Sequence, residues 1–150
     1  MDVVRHDNEF SNINIFIMIW NVADIVKGNY DPADYLPAFP VDDPYAISED
    51  LINRISPDSM KATLLALRTF HNRNTASDTV AADQGIGAAR KWALSQFDRY
   101  SINQSERLVT GYLQFDQDVC GMERHKNVLA VLPGRDASDP SCIIIEAHLD

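Results

Sequence analysis

The chain has 150 residues, enough for one domain with a sizeable core, and its 45% hydrophobic and 23% charged content is typical of a globular protein. Thirteen basic and 22 acidic residues give a formal charge of −9, which repels phosphate backbones and anionic lipid head groups. Nucleic acid is therefore not an expected partner. Cys120 and Cys142 are too few for a disulfide scaffold and form no Cys-x-x-Cys metal motif, although a single bridge between them stays open.

The N-terminal third predicts little regular structure. The apolar run Ile13–Trp20 is too short to span a bilayer and is interrupted by an asparagine, so we predict no membrane span. Acidic residues outnumber basic ones near the start, whereas a signal peptide begins with a basic region, so no signal peptide is predicted. Prolines and aspartates crowd residues 30–44, as in an extended acidic connector. We therefore predict an N-terminal extension and connector over residues 1–46 and the portion of a larger domain over residues 47–150.

Three helices are predicted from capping residues and apolar spacing. Ser48 is a candidate N-cap for the first, and the serine-proline pair at 56–57 for the second. Apolar residues recur at three- and four-residue spacing in the second helix, which predicts one buried face. The third helix is predicted to run to about Tyr100. Gly85 and Gly87 in its first turns permit close packing, but they lack the strand and third glycine of a phosphate-binding fingerprint.

Three strands are predicted to follow the helices. Apolar and polar residues alternate over residues 108–115, and two nearly continuous apolar runs follow at Asn127–Leu132 and Cys142–Ala147. A polar loop rich in turn formers, residues 135–140, separates the last two. Such continuous runs are expected for strands buried on both faces. Helices followed by buried strands indicate an α/β fold, of which this chain is predicted to be the N-terminal part.

The third predicted strand leads directly into His148, Leu149 and Asp150. Residues two apart on a strand point to the same side, so the imidazole of His148 and the carboxylate of Asp150 are predicted to lie together. A metal-bound imidazole needs its other ring N–H held by an acceptor, commonly a carboxylate. The alternative is that both residues form a solvated, polar strand end.

The order of elements and short motifs over residues 47–150 resembles the co-catalytic zinc aminopeptidases of metallopeptidase family 28. The matching features are Arg73-x-Thr75 after a helix, the run Lys126–Gly134, and the apolar strand that ends in His148-Leu149-Asp150. That family includes bacterial leucyl aminopeptidases, glutamate carboxypeptidase and the glutaminyl cyclases. The resemblance implies a mixed sheet flanked by helices in three α/β/α layers.

The resemblance also implies a function and a site. His148 would bind one of two zinc ions, and Asp150 would accept a hydrogen bond from its distal ring nitrogen. A peptide substrate would lose its N-terminal residue to metal-activated water. The other ligands and the general base would follow residue 150, so the 150-residue chain alone is expected to be inactive. A non-catalytic interaction domain on the same scaffold and a glutaminyl cyclase-like acyl transfer are the alternatives.

Several other residues attract functional hypotheses. Ala76 stands where a glycine often follows the arginine-threonine pair in that family, which leaves Arg73 with two readings. It is either a solvated loop or helix C-terminal charge, or a residue near the substrate. His71 and His125 lie in polar sequence surroundings and are not predicted to be ligands. The aromatic residues Trp20, Tyr45 and Trp92 are candidates for a pocket, but burial in a core is the default expectation.

Overall fold

The computed structural model describes residues 22–39, 42–102 and 106–149, and they form a mixed helix and hairpin structure. None of the helices in this part is both long and apolar enough to cross a membrane. Residues 22–26 are helical. The further elements, in chain order, are a 3-10 helix Pro32–Tyr35, α1 Pro44–Arg54, α2 Pro57–Arg68, α3 Gly85–Ile102, β1 Val109–Val119 and β2 Met122–Val131.

The two helix starts test the capping predictions. The start of α2 is confirmed, because Ser56 is its N-cap and the Ser56 hydroxyl oxygen accepts a hydrogen bond from the Ser59 backbone N–H at 3.2 Å. The predicted start of α1 is wrong. Asp43 caps that helix and Pro44 occupies its first turn, so Ser48 lies inside the helix and its hydroxyl donates to the Pro44 carbonyl. The aspartate-proline pair, assigned to the connector, is the true start signal.

β1 and β2 form an antiparallel hairpin in which Val109 pairs with Val131 and Val119 with Met122. The two-residue turn between them is Cys120-Gly121, with φ values of 53° and 80°. Positive φ at both central residues matches the right-handed twist of the strands, as in type I′ turns. The thiols of Cys120 and Cys142 are both free and exposed.

The core of the described part lies where the N-terminal helical turn meets the hairpin. Val22, Ile25 and Val109 are buried together. Gly111 of β1 makes room for this turn, because a Cβ there would meet Val22 Cγ2 at 3.1 Å. The side chains that pack around these three are Tyr30, Tyr35, Leu129 and Val131. The segment predicted to be a connector therefore contributes directly to the core.

α3 packs against the hairpin, and the loop before it packs against its first turn. The Gly85 N–H donates to the Phe70 carbonyl and the Gly87 N–H to the Asp78 carbonyl, both at 3.0 Å. The Ser77 hydroxyl oxygen accepts from the Ile86 N–H at 2.9 Å. The prediction that these glycines permit close packing is confirmed.

Two predictions about burial are wrong within the described residues. α2 contains no buried residue, and its apolar face is exposed. The third predicted strand is absent, since residues 141–149 have no regular secondary structure and Ile143 is 93% exposed. A strand that is apolar on both faces needs paired strands and covering layers. The described residues provide one two-stranded antiparallel sheet, and no three-layer arrangement is formed among them.

Tyr112 on β1 predicts a pH dependence of stability. Burial, and then the nearby Asp98 carboxylate, raise the pKa of the Tyr112 phenol to about 12, although Arg90 lowers it. The folded state therefore favours the protonated phenol, so its contribution to stability is complete below about pH 10 and is lost as the pH rises toward about 12. The loss is at most about 2.7 kcal/mol.

Urea unfolding across that pH range measures the effect. We expect Tyr112→Phe to remove most of the loss and Tyr45→Phe, at an exposed tyrosine, to retain it. Equal alkaline losses in both variants would contradict the assignment to Tyr112.

Candidate functional site

His148 lies near the end of a segment without regular secondary structure, residues 141–149. Its side chain is exposed, whereas the neighbouring Leu149 is half-buried. Asp150 lies outside the described residues, so the predicted pairing of its carboxylate with the His148 imidazole remains a prediction. Of the two predicted site residues, the structure describes His148, and its side chain is accessible.

The chain upstream of this segment is anchored just after β2. Pro133 is buried, and the Tyr30 hydroxyl donates to the Gly134 carbonyl at 3.1 Å. Next to it, the Arg135 guanidinium pairs with the Asp42 carboxylate at 3.1 Å. Both partners come from the segment that precedes α1. The residues before α1 therefore hold the chain just after β2, a contact that the sequence did not predict.

The polar loop between β2 and this segment is built from two aspartate-centred turns, as its composition predicted. Asp136 Oδ1 accepts hydrogen bonds from the Ser138 N–H and hydroxyl, and Asp139 Oδ1 accepts from the Ser141 N–H at 2.8 Å. Hydrogen bonds to the ionised form lower the pKa of both carboxyl groups, with Ser138 and Ser141 as the main donors. These carboxylates are engaged in turns that shape the loop.

Arg73 anchors the segment on its downstream side. Its Nε–H donates to the Leu149 carbonyl at 2.9 Å, and an Nη1–H donates to the Leu67 carbonyl in the last turn of α2 at 2.5 Å. The reading of Arg73 as a solvated loop charge is wrong, whereas its interaction with a helix C-terminus is confirmed. The contact with Leu149 was missed, because the two residues are 76 positions apart and no local pattern links them.

The loop that carries Arg73 is shaped by asparagine side chains. Asn72 Oδ1 accepts from the Asn74 N–H, and Asn74 Oδ1 accepts from the Ala76 N–H, both at 2.9 Å. Such turns fix a loop without glycine. Ala76 is not among the residues with positive φ, so the alanine at the position where the resembled family often has glycine introduces no backbone strain.

The other two candidate histidines differ in their surroundings. His71 is exposed in a left-handed conformation, φ 58°. His125 is only 1% exposed and stacks on Phe115 with ring centroids 5.6 Å apart, so its ring is buried although its sequence neighbours are polar. His125 Nε2 lies 2.9 Å from the Gln117 carbonyl oxygen and 3.0 Å from that of Met122. Two acceptors require the proton on Nε2, so this ring acts as a donor that closes the hairpin end.

The aromatic candidates also differ in their burial. Trp92 packs against Phe70 with ring centroids 6.2 Å apart, which joins α3 to the loop after α2 and fits the default of a packing role. Tyr45 is 87% exposed, so that default is wrong for it. Trp20 and the rest of the apolar run Ile13–Trp20 lie outside the described residues.

The described residues do not by themselves provide enough metal ligands to hold a zinc ion. No three His, Cys, Asp or Glu side chains among residues 22–39, 42–102 and 106–149 lie close enough together to bind a metal. Zinc sites in proteins take at least three protein ligands. His148 offers one accessible imidazole, so any site that uses it needs ligands from elsewhere.

Comparison with known proteins gives a distant and partial relationship. No protein-family model and no solved structure matches the chain. A probable zinc metalloprotease of Phaeosphaeria nodorum is 30% identical over 67 residues, covering 45% of this chain and 14% of that protein. A probable zinc metalloprotease of Pyrenophora tritici-repentis is 27% identical over 105 residues, covering 67% of this chain and 21% of that protein.

The match to Pyricularia oryzae extends over most of the chain. Its probable zinc metalloprotease is 26% identical over 140 residues, covering 87% of this chain and 27% of that protein. The chain thus spans about a quarter or less of the length of these relatives. It is distantly related to fungal proteins described as probable zinc metalloproteases, a coarser relationship than the resemblance to metallopeptidase family 28.

Proposed function

We propose that this chain forms the N-terminal portion of a zinc-dependent exopeptidase of the aminopeptidase type, related to metallopeptidase family 28. The observation that carries the proposal is the segment 141–149, which is anchored at Leu149 by Arg73 and presents the exposed imidazole of His148. The relationship to probable zinc metalloproteases supports zinc as the metal and a peptide as the substrate. The boundary at residue 47 stays a prediction, although Tyr30 and Tyr35 upstream of it pack against the core.

The exposure of the isoleucine-rich segment supports an incomplete sheet. Ile143 and Ile145 are each 93% exposed, and Ile144 between them is 78% exposed. Apolar side chains on both sides of an extended backbone are suited to a strand in the interior of a mixed sheet. In the proposed three-layer α/β/α fold, further strands and helices would cover these side chains.

In the proposed site, His148 is a ligand to one of two zinc ions and Asp150 accepts a hydrogen bond from the other ring nitrogen. That bond would hold the imidazole in one tautomer and one orientation. Zinc, when bound, lowers the pKa of water so that hydroxide is available at neutral pH. The chain's own contribution is to hold the imidazole at the end of a fixed backbone. The general base and the remaining ligands belong, in this proposal, to sequence after residue 150.

Zinc stoichiometry tests the proposal. Elemental analysis would compare this 150-residue chain with the protein expressed from the longest natural reading frame that contains it. We expect two zinc ions per molecule of the longer protein and weak, substoichiometric binding by the shorter chain, because one imidazole does not hold zinc tightly. Circular dichroism establishes that the longer protein is folded. A folded longer protein without zinc would contradict the peptidase proposal and favour the interaction-domain alternative.

A further inference from the structure

Arg73 joins two backbone carbonyls that are distant in sequence. Its Nε–H donates to Leu149, 76 positions away, and its Nη1–H donates to Leu67. Leu67 lies in the last turn of α2, and its carbonyl oxygen also accepts a hydrogen bond from the Phe70 N–H at 3.4 Å. One guanidinium therefore fixes the residue after His148 to the C-terminal end of α2.

The chemistry of the side chain matters for this link. The guanidinium is planar and its N–H groups point in fixed directions, so two hydrogen bonds define the position of one acceptor relative to the other. A lysine ammonium is a rotating point donor and cannot define that geometry. Arg73 is also partly buried, which strengthens a charge-assisted hydrogen bond relative to one in bulk water.

The loop that carries the guanidinium is itself held by hydrogen bonds and by ring packing. The loop turns centred on Asn72 and Asn74 flank Arg73 in sequence. At the start of this loop, the Phe70 carbonyl accepts from Gly85 of α3 and the Phe70 ring packs on Trp92. Arg73 therefore ties the position of Leu149 to the last turn of α2 and, through the loop that follows it, to α3.

A carbonyl within a strand is normally held by an N–H of the neighbouring strand. At Leu149 the donor is a side chain, so the backbone is held without a strand partner at this point. The Leu149 carbonyl belongs to the peptide unit that follows this residue, and fixing that planar unit constrains the backbone next to His148. A metal ligand must be placed within a fraction of an ångström, which requires such supporting contacts.

We propose that Arg73 is a positioning residue that fixes the backbone next to His148 for zinc binding, an inference that rests on the proposed peptidase function. Its role is exerted through Leu149, without contact with metal or substrate. The assignment explains why an arginine in a loop after α2 is partly buried and turned toward the far end of the chain.

The test is zinc affinity, measured by chelator competition in the protein expressed from the longest natural reading frame. We expect Arg73→Ala to weaken zinc binding about tenfold, the lower end of the range for lost supporting partners of a metal ligand. Arg73→Lys should give a smaller loss. Arg68, exposed on the last turn of the same helix, supplies the matched controls Arg68→Ala and Arg68→Lys, which should bind zinc like the unmodified protein.

Thermal unfolding of the metal-free variants separates positioning from a merely structural role. A lowered midpoint in Arg73→Ala with unchanged zinc affinity would overturn the inference. If Arg73→Ala does not fold, the comparison of Arg73→Lys with Arg68→Lys decides, and equal affinities would overturn it. His148→Ala distinguishes the two proposals: zinc affinity unchanged in that variant contradicts the peptidase site itself. Loss of zinc in His148→Ala with normal binding in both Arg73 variants contradicts only the positioning role.

Discussion

Gly87→Ala is expected to destabilise the chain by about 3 kcal/mol, the upper part of the range for overpacking a close-packed contact. A Cβ at this position would lie 2.3 Å from the Thr79 carbonyl oxygen and 2.6 Å from the Thr79 Cα. These are backbone atoms of the loop before α3 and cannot rotate away. Relief of the clash would move the loop off the helix and break the hydrogen bond from the Gly87 N–H to Asp78. Chemical denaturation followed by circular dichroism measures the change.

Two other glycines serve as controls for backbone strain. Gly121 has φ +80° but open space around it, so Gly121→Ala should cost only the left-handed strain, about 1 kcal/mol. Gly85 combines φ +77° with a Cβ position 2.2 Å from the Asp78 carbonyl oxygen, so Gly85→Ala should cost at least as much as Gly87→Ala. If Gly87→Ala and Gly121→Ala were equally destabilising, the close contact of loop and helix would be contradicted.

His148→Ala is expected to lower zinc affinity by at least about 100-fold in the protein expressed from the longest natural reading frame, and to abolish peptidase activity. A direct ligand should matter more than its supporting partners, whose loss costs roughly 10- to 100-fold. Asp150→Asn, which removes the proposed supporting carboxylate, should therefore give a smaller loss. Stability of the metal-free protein should fall by about 1 kcal/mol or less, because a contact of an exposed side chain contributes little.

His71→Ala is the matched control for this experiment. His71 is also an exposed histidine, and it lies in the loop near Arg73. We expect it to leave zinc content and activity unchanged. Equal zinc affinity in the His148→Ala and His71→Ala proteins would remove His148 from the site.

The local parts of the fold could be read from short sequence patterns. The serine-proline start of α2, the glycines at the start of α3 and the turn at Cys120-Gly121 each depend on the conformational preferences of one or two residues. α1 shows where such reading fails. Two capping signals compete within six residues, and the aspartate-proline pair at 43–44 prevailed over Ser48.

Burial could not be read from the same patterns. The apolar spacing of α2 and the run Cys142–Ala147 predict faces that need a partner, but they do not specify where the partner lies. In the described part both remain exposed, as at Leu64 and Ile143. Burial depends on elements distant in sequence, and the fold of the described residues places none of them there.

For the same reason, only part of the candidate site could be predicted from the sequence. The position of His148 after an apolar run is a local feature, and the structure places its side chain at an accessible position. The contact that holds the backbone next to it comes from Arg73, which lies 76 positions from Leu149. The contact that holds the end of β2 comes from Tyr30, which lies 104 positions from Gly134. Hydrogen bonds of a side chain to a remote backbone carbonyl leave no periodic trace in a sequence.

The exposed isoleucines have a consequence for handling this chain in solution. Six consecutive residues, 142–147, combine high β-propensity with one charge and no proline, the composition that drives cross-β aggregation when a segment stays unpaired. Three residues oppose such aggregation: Glu146 within the segment, and Asp139 and Pro140 just upstream of it. Wherever residues 142–147 remain uncovered, solubility would rest on these three residues and on the net negative charge of the chain.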